Sequence, residues 1–167
     1  MNKETKLKDE ITQKIGVLTR RETEARILVP FFQALSEKFG KEEVAPILEK
    51  TIMDLSRAQG AELSKKYGSG VESFLETLQF WTQDGALEID VLEKNEKKLD
   101  FDVTRCKYAE MYTALGISDL GAVLSCNRDA SLIKGFNPKA TLDRKKTIMS
   151  GSKFCTFRYN FKKEKQI

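Results

Sequence analysis

The apolar residues of this chain change their period near residue 86, and that change restricts the fold more than any other feature of the sequence. Before it they recur every three or four positions, the spacing of one face of an α-helix. Leu28, Phe31, Phe32, Leu35 and Phe39 predict a helix from Thr19 to Gly40, kinked where Pro30 removes a backbone donor. The polar residues 1–18 predict a frayed or loosely docked helix. Val44, Ile47, Leu48, Ile52, Leu55 and Ala58 predict a second helix over about 42–65, with Pro46 in its first turn. After the break at Tyr67-Gly68-Ser69-Gly70, a third helix carries Val71, Phe74, Leu75, Leu78 and Trp81 and stops at Asp84-Gly85.

Beyond residue 86 apolar and polar residues alternate. Leu87, Ile89 and Val91 interleave with Glu88 and Asp90, and Leu99, Phe101 and Val103 with Asp100 and Asp102. With the polar turn Lys94–Lys97 between them, these segments predict a hairpin that is buried on one face and wet on the other. Thr104 then predicts an N-cap, with Cys106 in the first turn of a helix that Gly116 ends. A further helix from about Ser118 carries Leu120, Val123 and Leu124 toward Cys126. The loop Gly135–Pro138 leads to strands over about 141–149 and 153–161, joined at Ser150-Gly151. The predicted fold is α+β, with helices on one face of a roughly four-stranded antiparallel sheet built from two hairpins, in the order ααα-ββ-αα-ββ. The 167 residues suit a single domain: a helical scaffold over 1–85, a half over 86–161 that carries the candidate site, and a basic tail over 162–167.

Composition narrows the chemistry. The chain has no histidine, so neither a Ser-His-Asp nor a Cys-His arrangement can form within it, and no metal can be held by imidazole. Proton transfer near neutral pH then falls to a perturbed carboxylate, lysine, cysteine or tyrosine, or to water. The odd cysteine count of three and the charged start Met1–Lys6, which lacks a signal peptide's apolar segment, lead to the expectation of reduced thiols and a cytoplasmic location. No apolar run has the length of a membrane span. From Arg144 onward eight lysines and arginines face one acid, Glu164; this basic end suits either anion steering or a solvated sheet edge.

Chemistry-bearing residues gather in the second half. Cys106 at a helix start, between Arg105 and Lys107, is the first candidate for a nucleophile, because free N–H groups and basic neighbours favour a thiolate. Packing as a small apolar residue is the competing account, and it weighs more for Cys126 and Cys155, the latter on a strand face with Phe157, Tyr159 and Phe161. Asp129, three residues after Cys126, is a candidate base or a helix cap. If Leu142 and Ile148 are buried, Arg144 is carried inward with them and needs an anion, from the protein or from a ligand. Tyr108, Tyr159 and Thr147 can donate hydrogen bonds to a substrate or can simply pack. The cysteines lie 20 and 29 residues apart with no Cys-x-x-Cys pair, so no metal and no other cofactor is expected.

The ordered set Cys106-x-Tyr108, Leu115-Gly116, Cys126 with Asp129, Leu142-x-Arg144, Thr147, Gly151 and Cys155-x-Phe157-x-Tyr159 resembles the L-2-amino-thiazoline-4-carboxylic acid hydrolase family over about residues 100–160. Lys145 stands where that resemblance leads to an expected threonine. The resemblance implies hydrolytic opening of a cyclic isothiourea. Water or a thiolate attacks the ring carbon between sulfur and nitrogen, a C–N or C–S bond breaks, and a carbamoyl-cysteine results. Under it, Cys106, Cys126, Cys155 and Asp129 are the catalytic candidates, and Arg144, Tyr108, Thr147 and Tyr159 the substrate-binding ones. The implied partner is a small carboxylated heterocycle, not a nucleic acid or a membrane, and a homo-oligomer is left open. The alternative is a non-enzymatic small-ligand sensor domain whose cysteines are structural.

Overall fold

The computed structural model describes residues 11–161. Its elements in chain order are α1 (Ile11–Phe39), α2 (Lys41–Tyr67), α3 (Val71–Thr77), α4 (Gln79–Thr82), β1 (Leu87–Asn95), β2 (Lys98–Cys106), α5 (Lys107–Ala114), α6 (Ser118–Gly121), α7 (Asn127–Phe136), β3 (Thr141–Asp143) and β4 (Cys155–Asn160). One π turn, Ala122–Cys126, joins α6 to α7 and makes residues 118–136 a continuous helical run. The four strands form one antiparallel sheet in the order β1-β2-β4-β3, so the two hairpin halves meet through β2 and β4. This is the predicted α+β architecture. Most of the frayed helix expected over residues 1–18 lies outside the described residues, as does the basic tail. No described helix is long and apolar enough to cross a membrane.

Alternation set the buried face of β2 and β4 correctly but not that of the outer half of β1, where Val91 is 54% exposed. Leu99, Phe101 and Val103 of β2 lie opposite Tyr159, Phe157 and Cys155 of β4, and all but Phe157 are buried. Phe101 stacks on Phe157 at 4.8 Å, and Phe74 of α3 meets Tyr159 and Phe136 edge-on at 4.9 and 5.1 Å. Leu132, Ile133 and Phe136 of α7 complete this core over the sheet. A second core lies among the helices, where Val17, Ala25, Val29 and Phe32 of α1 pack with Val44 and Ile52 of α2 and with Tyr108, Tyr112, Leu120 and Leu124. Trp81, Leu87 and Cys106 touch both cores and mark the seam between them.

Several expectations need correction. The break in α1 falls at Gly16, whose φ of 71° only glycine adopts readily, and not at Pro30. Pro30 lies on the exposed face, where water can hydrate the carbonyl left without a donor. The buried stripe of α1 runs through Arg21, Ala25, Val29 and Phe32, while Phe31 and Phe39 are 61% and 56% exposed. An inward arginine rotates the helix away from its most hydrophobic face. In α2, Val44, Ile52, Ser56 and Gly60 face inward, and Ile47, Leu55 and Ala58 are exposed. The long partner of β4 is also absent: β3 ends at Asp143, and Ile148–Ser150 form a 3-10 turn in place of a tight hairpin. Thr156 causes this departure. Its hydroxyl accepts from the Lys145 and Lys146 N–H groups at 3.0 and 3.2 Å, taking donors that a strand ladder would use.

Contact between α2 and α7 explains the inward Ser56 and Gly60. The two helices run side by side in the same sense, with Glu49 bonded to Asn127, Ser56 to the Arg128 carbonyl at 2.8 Å, and the Ser69 carbonyl to Asn137. A Cβ on Gly60 would stand 2.1 Å from the Leu132 carbonyl oxygen, and one on Gly135 1.9 Å from that of Arg57. Backbone meets backbone here, and backbone has no rotamer through which to yield. Alanine in a helix ordinarily stabilises by up to about 1 kcal/mol relative to glycine. At these sites the sign reverses. Gly60→Ala and Gly135→Ala should each cost about 3 kcal/mol and lower Tm on the order of 10 °C, measured by denaturant and thermal unfolding.

Candidate functional site

The seam between the two cores holds a cavity. The volume open to the centres of water-sized spheres is about 70 Å³, and its walls include Trp81, Leu87, Val103, Leu132, Met149 and Phe157. Cys106, Cys126, Cys155, Asp129, Arg144 and Tyr108 also line it, so six of the eight candidate side chains meet at one place. Thr147 and Tyr159 stand outside the wall. Thr147 caps the 3-10 turn, its hydroxyl accepting from Ser150 N–H at 3.1 Å. Tyr159 is buried in the sheet core against Phe74 and Phe101.

Each wall residue arrives from a distinct local structure. Cys106 is the last residue of β2 and the N-cap of α5, one position earlier than a place in the first turn, and Lys107 N–H bonds the Ala86 carbonyl at 2.9 Å. Cys126 ends the π turn, where Asn127 N–H reaches back five residues to Ala122. Cys155 opens β4 and accepts from Ile148 N–H at 3.1 Å. Tyr108 donates to the Trp81 carbonyl at 3.0 Å. Arg144 follows β3 and is drawn inward over the Phe157 ring, 5.3 Å from its centroid. There it forms an ion pair with Asp129 and donates to the Cys126 carbonyl at 2.7 Å. The anion that a buried Arg144 requires is therefore supplied by the protein.

Burial dominates the acid–base character of these groups. The Cys106 thiol is pushed up to about 11 by loss of solvent, against the pull of the Ala109 and Tyr108 backbone N–H groups. The helix-start effect expected from the sequence exists, but desolvation outweighs it, and the thiol is held neutral. Cys126 is pushed up to about 12 by burial and then by the Asp129 charge. Cys155 is raised by burial too. The Asp129 carboxyl is raised by burial against the opposing charge of Arg144, the direction that strengthens a carboxylate as a base.

Two arginines absent from the candidates also line the cavity, Arg21 from α1 and Arg128 from α7. Arg21 donates to Glu24 at 2.5 Å and Arg128 to the same oxygen at 3.1 Å, while Arg20 takes the other oxygen at 2.9 Å. Burial pushes Glu24 up, but Arg21, Arg20 and Arg128 together hold it below the ordinary carboxylate range. Arg128 comes down to about 10 through burial and the repulsion of Arg21, and stays charged at neutral pH. The sequence carried a signal for both residues. Arg20, Arg21 and Glu24 have helical ion-pair spacing, and Arg128 falls on the stripe of Leu124 and Leu132. Among the described residues, no three Cys, Asp or Glu side chains stand close enough to share one ion.

Comparison with known proteins follows from this geometry. None of the curated proteins matches the chain. The phenol-responsive sensory domain of the transcription activator PoxR, solved with phenol, is 12% identical with a TM-score of 0.47, covering 86% of this chain and 72% of that one. Trafficking protein particle complex subunit 3 from Naegleria fowleri, covalently bound to palmitic acid, is 13% identical with a TM-score of 0.45, covering 85% and 97%. An Fe(II) unliganded H-NOX protein from K. algicida is 9% identical with a TM-score of 0.31, covering 95% and 70%. The family model for L-2-amino-thiazoline-4-carboxylic acid hydrolase matches residues 20–159, which takes in the last two thirds of α1, everything from α2 to β4 except the final residue of β4, and every residue of the cavity wall. The chain belongs to the L-2-amino-thiazoline-4-carboxylic acid hydrolase family.

Proposed function

We infer that the cavity takes a small carboxylated sulfur–nitrogen heterocycle of the thiazoline type and opens its ring by hydrolysis. The observation that carries this reading is the convergence of three thiols, one raised carboxyl and three arginines on a single cleft. The size agrees. A volume of about 70 Å³ open to sphere centres holds roughly five to seven waters, the scale of one substituted five-membered ring and well below the roughly 300–1,000 Å³ of drug-sized sites.

Neutral thiols and a raised Asp129 favour a route in which the carboxylate starts the reaction. Asp129, oriented by Arg144, accepts a proton from the attacking group as that group bonds to the ring carbon between sulfur and nitrogen. The attacking group is water, or first the thiol of Cys126 one helical turn away, with water then displacing it. The proton held by Asp129 passes to the leaving atom as its bond to the carbon breaks. Cleavage at nitrogen leaves an S-carbamoyl-cysteine with a free amine, and cleavage at sulfur an N-carbamoyl-cysteine with a free thiol. Neutral thiols equally suit a second reading, a ligand-binding domain without catalysis, in which the heterocycle binds and leaves unchanged.

Purified protein incubated with the thiazoline acid separates the two readings, with carbamoyl-cysteine followed by chromatography. Turnover is expected, with Asp129→Asn lowering kcat/KM by about 100-fold or more. Because Asp129 is raised, the acid limb of the wild-type pH–rate profile should lie above the ordinary carboxylate range. Saturable binding without product would sink the hydrolase reading. Single Cys→Ser variants that all keep full activity would remove the thiol route and leave Asp129-activated water.

The thiols provide an independent check. At pH 8 a group with pKa near 11 is ionised to roughly one part in a thousand, against about a quarter for an ordinary cysteine. Alkylation of Cys106 in the native protein should therefore be slower than that of a free thiol by roughly a hundredfold, and should quicken about tenfold per pH unit up to about pH 11. A rate that levels off near neutrality would contradict the neutral thiol.

A further inference from the structure

We propose that Arg21 and Arg128 together form the seat for the ligand's carboxylate, and that Arg144 does not. The inference rests on the cavity being the ligand site. Arg144 is the arginine that the sequence nominates, but its guanidinium is already engaged by Asp129, the Cys126 carbonyl and the Phe157 ring. A ligand carboxylate placed there would face the Asp129 carboxylate at close range and lose in repulsion what it gained from the arginine.

Arg21 and Arg128 present the opposite balance. Their side chains are 5% and 7% exposed, and both line the cavity. Each guanidinium offers five N–H donors in a fixed fork. Among the described residues, Arg21 donates through Nη1 to Glu24, while Arg128 donates through Nη2 to Glu24 and through Nε to the Leu124 carbonyl at 2.8 Å. Nε and Nη2 of Arg21 and Nη1 of Arg128 make no hydrogen bond to protein among those residues, and none of the three is sealed from solvent. One carboxylate, Glu24, serves both buried guanidiniums and Arg20 as well. With Asp129 and Arg144 neutralising each other, the buried set keeps a positive excess, and Arg21 and Arg128 repel one another across it. A bound carboxylate would satisfy the open donors and relieve that repulsion in one step. The positions also suit the chemistry, since Arg128 and Asp129 are consecutive on α7 and point about 100° apart. An acid seated on the first leaves the ring free to reach the second.

Calorimetric binding to the whole chain tests this with three probes: 2-amino-2-thiazoline-4-carboxylate, its decarboxylated parent 2-amino-2-thiazoline, and acetate. Arg21→Gln and Arg128→Gln should each weaken the acid by roughly thirtyfold or more and leave the parent unchanged. Arg144→Lys, which keeps the charge that offsets Asp129 but loses the fork, should keep the preference for acid over parent. Arg21→Lys and Arg128→Lys retain the charge but lose the fork, and should cost the acid alone about tenfold. If the Gln variants fail to fold by circular dichroism, the Lys variants decide. Unchanged acid binding in Arg21→Lys and Arg128→Lys, or a preference lost only in Arg144→Lys, overturns the seat. Acetate separates this proposal from the hydrolase reading. If acetate binds in an Arg21-dependent way while the thiazoline acid neither binds nor reacts, the seat stands and the substrate assignment falls. If neither acid binds the wild type, the seat falls.

Discussion

The side-by-side approach of α2 and α7 is the contact on which the rest of the structure depends. Gly60 and Gly135 let the two backbones touch where any side chain would hold them apart. A buried hydroxyl, Ser56, fixes the axial register by bonding the Arg128 carbonyl. Because α7 also covers the sheet through Leu132, Ile133 and Phe136, this one contact locates the helical core relative to the sheet core. Arg128 and Asp129 are carried at the front of the same helix, so the register that Ser56 sets is also the register of the site. A looser packing of α2 on α7 would leave both cores recognisable and would displace the acid and the arginine from the seam.

Burial at that seam then decides the chemistry. A thiol at a helix start is usually read as activated, because N–H groups and the helix dipole favour its anion. Here two backbone N–H groups do pull Cys106 down, but the solvent it has lost pushes harder. The same desolvation raises Asp129 even with Arg144 beside it. One cause thus weakens the three thiols as nucleophiles and strengthens the one carboxyl as a base, which is why the proposed reaction is organised around Asp129 and not around any cysteine. The arginines follow the same logic in reverse. Buried cations persist only near anions, and among the described residues the three guanidiniums of the cavity wall, Arg21, Arg128 and Arg144, share two half-buried carboxylates, Glu24 and Asp129.

How far the sequence reveals this depends on what each signal measures. Alternation along β2 and β4 reports directly on the two faces of a strand, and it placed Leu99, Phe101, Val103, Cys155 and Tyr159 correctly inside. Helical periodicity reports only on hydrophobicity. It therefore chose Phe31, Phe39, Ile47 and Leu55, which are exposed, over Arg21, Ser56 and Gly60, which are buried for charge pairing and close approach. Convergence of the cysteines with Asp129 and Arg144 is left open by the sequence, because order in the chain does not fix the distances between elements; only the inward turn of Arg144 pointed toward it. The pairing of Arg144 with Asp129 was one of two partners that the reading left open. The end of β3 at Asp143 was not legible, because it turns on a single hydroxyl of Thr156 competing for two backbone donors.

Departures from regular structure cluster at the cavity, and each places a side chain on its wall. Alternation puts Arg144 on the face of Leu142, and just past the end of β3 at Asp143 it reaches both Asp129 and the Cys126 carbonyl. The strand-to-helix switch at Cys106 places that residue at the point where both cores meet. Along the π turn and the start of α7, Ser125, Cys126, Arg128, Asp129 and Leu132 all line the cavity. The extra residue in the turn, marked by the Asn127 bond to Ala122, offsets Ser125 and Cys126 from the regular spacing of α7. Three separate irregularities with no common local cause share only their destination, and irregular backbone of this kind is kept where a particular set of side chains must meet.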